Sequence, residues 1–233
     1  IPMPTSPTVT VTVLVEAGSR YETKQDNGLS HFLEHMCFKG TTKRPTSAII
    51  TRELEMIGAE YNAFTGEEMT GYWAKARTKH FDDILDVVSD IYLDPLLPEV
   101  ELEKERGVII EEINMYEDLP QRKVHDVLDE LMYGDQPAGR SVIGPKENIR
   151  RFARADFVRY RDLHYVGTKT AVIIAGGFSN TEMVAHAKKY FSTARKGKGG
   201  MRRRTKEKQA TPALLHKEKA TDQTHFVLGF RSY

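Results

Sequence analysis

Residues 29–41 read Leu29-Ser30-His31-Phe32-Leu33-Glu34-His35-Met36-Cys37-Phe38-Lys39-Gly40-Thr41. Leu33, Met36 and Cys37 recur at three- and four-residue spacing, which predicts a helix with Ser30 as N-cap and Gly40 as its end. His31, Glu34 and His35 interrupt an apolar run of Phe32, Leu33, Met36 and Phe38, so they are expected to be buried, and buried polar groups need partners. Histidines four apart project from one helix face, one above the other, and two imidazoles placed so can share one ion. Neutral imidazole suits zinc, and a catalytic zinc takes three protein ligands and leaves a fourth position open. Glu34, between the two, is placed to flank the metal and move a proton as general base. The order His-x-x-Glu-His is the inverted-zincin signature, the reverse of His-Glu-x-x-His.

Working outward, Val9, Val11, Val13 and Val15 alternate with Thr8, Thr10, Thr12 and Leu14, a strand with one half-covered face that Gly18 breaks. Downstream, a helix is expected over 47–57, stopped by Gly58. Tyr61 to Thr65 and Thr70 to Ala76 read as a hairpin turning at Gly66-Glu67-Glu68. Phe81, Ile84, Leu85, Val88, Ile91 and Tyr92 form a helical stripe ended by Asp94-Pro95. Further helices are predicted at 99–118, 121–133 and 146–163, then a buried strand from Ala171 to Phe178 and a capped helix from Asn180 to Phe191. Strands in ones and twos among helical pairs predict an α+β fold, a mixed and mostly antiparallel sheet with helices packed on one face.

The composition of the 233 residues, 39% apolar and 29% charged, is that of a globular protein and excludes a disordered chain. The longest apolar runs are far short of the roughly 20 residues that span a bilayer, so no membrane partner is expected. Cys37 is the one cysteine, which excludes an intrachain disulfide and a polythiolate zinc site and points to a reducing compartment or to indifference to redox state. Bacterial cytoplasm is the first expectation for it and a mitochondrial matrix the second.

Residues 195–208 hold eight of the 34 basic residues and one of the 33 acids. With three glycines and no interleaved aromatics, this run reads as a solvated linker rather than a nucleic-acid surface. Three segments result: 1–194 as a catalytic domain, 195–210 as a basic Gly/Lys/Arg linker, and 211–233 as the start of a second domain. Ala213 to His216 and His225 to Phe230 are expected strands of that second unit. Gly229-Phe230-Arg231-Ser232-Tyr233 echoes Gly18-Ser19-Arg20-Tyr21, which predicts a second, homologous domain that the chain only begins. Ile1-Pro2-Met3-Pro4, with no initiator methionine or signal pattern, leads to the expectation of a missing upstream piece.

A third metal ligand is expected from the acidic helix 99–118, which offers Glu99, Glu101, Glu103, Glu105, Glu111, Glu112 and Glu117. Glu105 and Glu112, two turns apart, share one face, whereas Glu111 points about 100° away from Glu112. Spacing alone leaves this acidic face open to a second reading, an ordinary solvated stripe. The remaining histidines, His80, His125, His164, His186, His216 and His225, lack a partner at ligand spacing.

Three blocks, His31 to Thr41, Asn62-Ala63-Phe64-Thr65 and Glu105-Arg106-Gly107-Val108-Ile109-Ile110-Glu111-Glu112, together resemble the pitrilysin, insulysin and mitochondrial processing peptidase family, in order and in separation. The resemblance covers about residues 4–191. It implies zinc as cofactor with His31, His35 and Glu112 as ligands, Glu34 as base, Glu105 as the acid behind a ligand, and a substrate strand at Asn62, Ala63 and Phe64. It also implies a peptide substrate and a second homologous half or partner subunit closing a chamber; a second copy of the chain is a further expected partner. A non-catalytic subunit of the same family is the competing expectation, against which the intact His31, Glu34, His35 and Glu112 set speaks. An unrelated lyase with the same spacing would need a distant cysteine, and Cys37 lies on the same helix.

Overall fold

The computed structural model describes residues 1–220 and 222–231. Its centre is β1 (Thr8–Val15), whose four valines are fully buried while Thr8, Thr10, Thr12 and Leu14 stay half-exposed. That two-period alternation is the physical basis of a sheet with one packed face. β3 (Thr70–Arg77) and β4 (Thr170–Gly176) flank β1, and β2 (Glu60–Thr65) lies outside β3, giving the antiparallel order β2-β3-β1-β4. The predicted hairpin is present, with Thr65 opposite Thr70 and the loop closed by Gly66 N–H donating to Met69 O at 2.8 Å.

Helices α1 (Leu29–Cys37), α2 (Ser47–Met56) and α3 (Phe81–Leu93) pack against the sheet. They are followed by α4 (Glu99–Glu117), α5 (Pro120–Tyr133), α6 (Lys146–Arg151), α7 (Arg154–His164) and α8 (Asn180–Tyr190). α4 and α7 both lean on α1, so the helix carrying the histidines is held between the sheet and two other helices. The fold is α+β, as expected. Cys37 is a core residue: burial pushes its thiol up to about 11, so it is no nucleophile near neutral pH.

The structure corrects four sequence expectations. Ser30 is not the N-cap of α1; Gly28 holds that position at φ 98°, where an added Cβ would stand 2.7 Å from the Ile143 carbonyl oxygen. The helix expected over 146–163 is two, because Phe152 turns into the core with extended backbone and Asp156 recaps the chain by accepting from Ala153 N–H at 3.0 Å. The strand near Ala171 is not buried: β4 is an edge strand, and Ile173 is 39% exposed. Residues 213–216 and 225–230 form no strand, since strands need a partner edge and Leu214, Phe226, Leu228 and Phe230 all point into solvent. Ser232 and Tyr233, the end of the echoed segment, lie outside the described residues.

The basic segment expected as a linker is more closely held at its start than its composition suggests. Gly167 N–H donates to Arg195 O, Thr168 Oγ1 to Gly197 O, and Gly200 N–H to Leu163 O at 2.8, 2.6 and 3.1 Å. Gly200 lies on the ring of His164, where a Cβ would meet it at 2.2 Å. His164, 3% exposed, sits between Tyr160 and Tyr21, with ring centroids at 4.3 and 5.7 Å. Burial pulls its imidazole down from 6.5 to about 4.

The unfolded chain therefore binds more protons between those values, and folding stability falls as pH drops from about 6.5 toward 4. The shift corresponds to about 3 kcal/mol at most. His164→Phe keeps the ring packing and is expected to flatten this part of the stability curve, measured by urea unfolding at pH 7 and pH 4.5. An unchanged pH dependence would place the acid sensitivity elsewhere.

Candidate metal centre

The N-terminus of α1 is anchored from below by Glu22, which has no exposed surface. Its carboxylate accepts from Gly28 N–H (2.9 Å), Ser30 N–H (2.7 Å), Ser30 Oγ (2.6 Å) and Asn27 Nδ2 (3.1 Å). With Ser30 donating to Glu22, Tyr160 OH donates to Ser30 Oγ at 2.6 Å, a chain that ties α7 to α1. Burial raises the Glu22 carboxyl pKa against these four donors, and the positive end of the helix favours the charged form. This network sets where the first turn begins, and with it where His31 lies.

Both imidazoles come off α1 toward α4. His31 Nε2 and His35 Nε2 each lie 3.7 Å from Glu112 Oε2, and their ring centroids are 4.6 Å apart. The donor atoms of His31, His35 and Glu112 all lie within 4.8 Å of one another. Ligands on a tetrahedral zinc at about 2.1 Å stand about 3.4 Å from each other, so this spacing and this N,N,O donor set fit a zinc ion.

His35 has its other nitrogen engaged: Nδ1 lies 2.8 Å from Glu105 Oε1, and Glu105 Oε2 accepts from Lys39 Nζ at 2.6 Å. With Nδ1 donating to Glu105, Nε2 is left as the bare lone pair facing Glu112. Burial alone would raise the Glu105 carboxyl, but the bonds from His35 and Lys39 outweigh it and hold it below its ordinary range. Burial likewise would lower His35, yet Glu105 and the nearby carboxylates raise it. His31 has no such partner among the described residues, its Nδ1 being buried without a hydrogen bond to them, and burial with the charges of His35 and Arg122 drives it down to about 3. It is neutral imidazole at any physiological pH, the form that binds metal.

The chain belongs to the insulinase family, peptidase family M16.

Residues 2–146 match the model of that family. Human mitochondrial-processing peptidase subunit beta is 42% identical over 184 residues, covering 79% of this chain and 37% of that protein. A Bacillus subtilis protein named "Uncharacterized zinc protease YmxG" is 36% identical over 228 residues, covering 98% of this chain and 55% of its own. A Helicobacter pylori protease superposes with a TM-score of 0.81 at 23% identity, over 89% of this chain and half (50%) of that one. A Pseudomonas fluorescens domain described as an inactive M16 domain does so with 0.77 at 16%. These two show the fold alone. The M16 chain spans about half or less of the length of these relatives.

Within this M16 domain Glu34 stands beside the cluster without entering it, its Oε2 accepting from Thr65 Oγ1. Burial first, then the Glu112 charge, pushes its carboxyl pKa up. Glu111 is exposed and away from the histidines, as its helical angle requires. Asn62, Ala63 and Phe64 lie on β2, whose outer edge pairs with no other described strand, while residues 1–3 run beside β4. The Asn62 side-chain oxygen accepts from Ala63 N–H at 2.9 Å.

Four contributors escaped the sequence reading: Glu22, Lys39, Thr65 and Tyr116. Lys39 had a local signal, being four residues after His35. Tyr116 lies one turn beyond Glu112; burial and the Glu112 carboxylate raise its phenol, and the Arg122 guanidinium sits 3.6 Å from its ring centre. Glu22 carried no periodic signal because it lies in the turn before α1, a few residues from the groups it accepts from, and Thr65 carried none because it acts on Glu34 from another element. No helix among the described residues is long and apolar enough to cross a membrane.

Proposed function

We propose that the chain is the metal-bearing part of a zinc metalloendopeptidase, with His31, His35 and Glu112 holding the metal, Glu34 as general base and Glu105 orienting His35. The observation that carries this is the convergence of two Nε2 atoms and a carboxylate oxygen within 4.8 Å, with Glu105 fixing the tautomer of one imidazole. Zinc, when bound, supplies Lewis acidity toward a carbonyl and toward water. Glu34, with its pKa raised by burial, takes the proton of the attacking water and returns it to the leaving amine. An extended peptide added to the free edge of β2 would lie along Asn62, Ala63 and Phe64 and bond the outward main-chain groups of Ala63. The Ala63 N–H now held by Asn62 becomes available when that side chain swings aside.

The domain reading keeps 1–194 as the catalytic unit, 195–210 as linker and 211–233 as the opening of a second homologous unit, in line with relatives about twice as long. Such a half, or a partner subunit, would close over the open site. The single free thiol of Cys37 is compatible with a reducing compartment, for which bacterial cytoplasm stands ahead of mitochondrial matrix.

The test is cleavage of a panel of extended peptides by the zinc-loaded chain, alone and with its second half supplied. Weak cleavage alone, strong cleavage with the second half, and loss on chelation that zinc reverses are expected. Robust cleavage by the chain alone would remove the need for a second half. Bound zinc without cleavage in either setting would favour a non-catalytic subunit.

A further inference from the structure

Besides Glu105, which His35 and Lys39 hold, four groups that could bind a cation stand close together on α1 and α4, yet only three converge. His31, His35 and Glu112 form the cluster; Glu34, beside His35 on the same helix, does not join it. A buried carboxylate next to a cation is drawn toward it unless another donor holds it. The donor here is Thr65, whose hydroxyl bonds Glu34 Oε2 from a different element.

Thr65 has little freedom of its own. It is the last residue of β2, paired with Thr70 before the loop closes, and its Oγ1 lies 3.5 Å from Thr70 Oγ1. Thr70 Oγ1 in turn donates to Ala17 O at 3.0 Å, and Thr70 is fully buried. Tyr61, Ala63 and Thr65 form the half-buried face of β2, on the side where α1 packs, while Glu60, Asn62 and Phe64 alternate away. The strand with an open edge thus ends on the carboxylate of the base.

Building on the peptidase reading, we propose that Thr65 is a positioning residue that keeps the Glu34 carboxylate off the metal position and couples it to occupancy of the β2 edge. A strand added along β2 steadies the backbone to which the Thr65 hydroxyl is fixed, and the base is steadied with it. Without that hydroxyl, Glu34 is free to enter the cluster as a fourth protein ligand, where it cannot accept a proton from water.

The experiment compares Thr65→Val, which replaces the hydroxyl by a methyl at equal shape, with Thr65→Ser, which keeps the hydroxyl. Both are examined as the zinc-loaded protein with its second half present, and as cobalt(II)-substituted protein by visible spectroscopy. Thr65→Val is expected to retain metal, to lose about 10- to 100-fold in kcat with KM little changed, and to show the weaker cobalt absorption of a higher coordination number. Thr65→Ser should restore both, and adding Glu34→Gln to Thr65→Val should abolish the spectral change.

A cobalt spectrum and kcat indistinguishable from the parent would overturn the inference, as would a rise confined to KM or a Thr65→Ser variant as impaired as Thr65→Val. If the parent fails to cleave any peptide, or cleaves equally with Glu34→Gln, the peptidase reading falls instead. The cobalt spectra then decide the Thr65 contact by themselves.

Discussion

Replacing Glu34 by Gln is expected to leave about one zinc per chain and to lower kcat/KM, measured with the second half present, by roughly three orders of magnitude. General-base contributions run from about 10² to 10⁴, and the upper part of that range applies because no other free carboxylate among the described residues faces the cluster. Glu105 is committed to His35 and Lys39, and Glu112 faces both imidazoles. Gln keeps the shape of the side chain and can still accept from Thr65, so packing around α1 is preserved. Elemental analysis and steady-state kinetics on the same preparation read both halves of the expectation. Unchanged turnover would remove Glu34 from the mechanism, and zinc lost in proportion to activity would make it a ligand.

Glu112→Gln is expected to have the opposite signature, with metal lost first. An amide oxygen is a poor substitute for a carboxylate on zinc, and two imidazoles alone leave the ion half-liganded. An affinity loss on the order of a hundredfold or more is expected, exceeding the 10- to 100-fold that follows from removing an outer partner of a ligand. The measurement is zinc retained after identical dialysis of parent and variant, with a competing chelator dye giving the affinity. Equal zinc in both would return the third position to Glu105 or Glu111. Glu105 would then have to leave its bonds to His35 and Lys39, and Glu111 its exposed position.

The fold was legible wherever a local pattern had a single cause. The alternation in β1, the stripe of α3 and the Gly66 turn of the hairpin were read within a residue or two of their observed limits. Misreadings came where partners distant in the chain decide. The break at Phe152 follows from a side chain entering a core built by other helices, and the exposure of β4 follows from its place at the sheet edge. Leu214, Phe226, Leu228 and Phe230 have the apolar spacing of strands, but they stand in solvent and pair with no described strand.

The sequence by itself determined the donor chemistry: histidines four apart on a helix must share a face, Glu34 must fall between them, and Glu105 must lie on the face of Glu112. Those are consequences of a 3.6-residue turn and hold in any fold that keeps the two helices. Tertiary structure alone decided that α1 and α4 meet at a distance fitting one ion, that Glu105 rather than Glu111 bonds His35 Nδ1, and that Tyr160, 130 residues beyond Ser30, ties α7 to the start of α1. It also placed Thr65 against Glu34. The reason is physical: hydrogen bonds and ion pairs act through space over about 3 Å, and only the packing of the sheet against α1 brings residues so far apart in the chain within that reach.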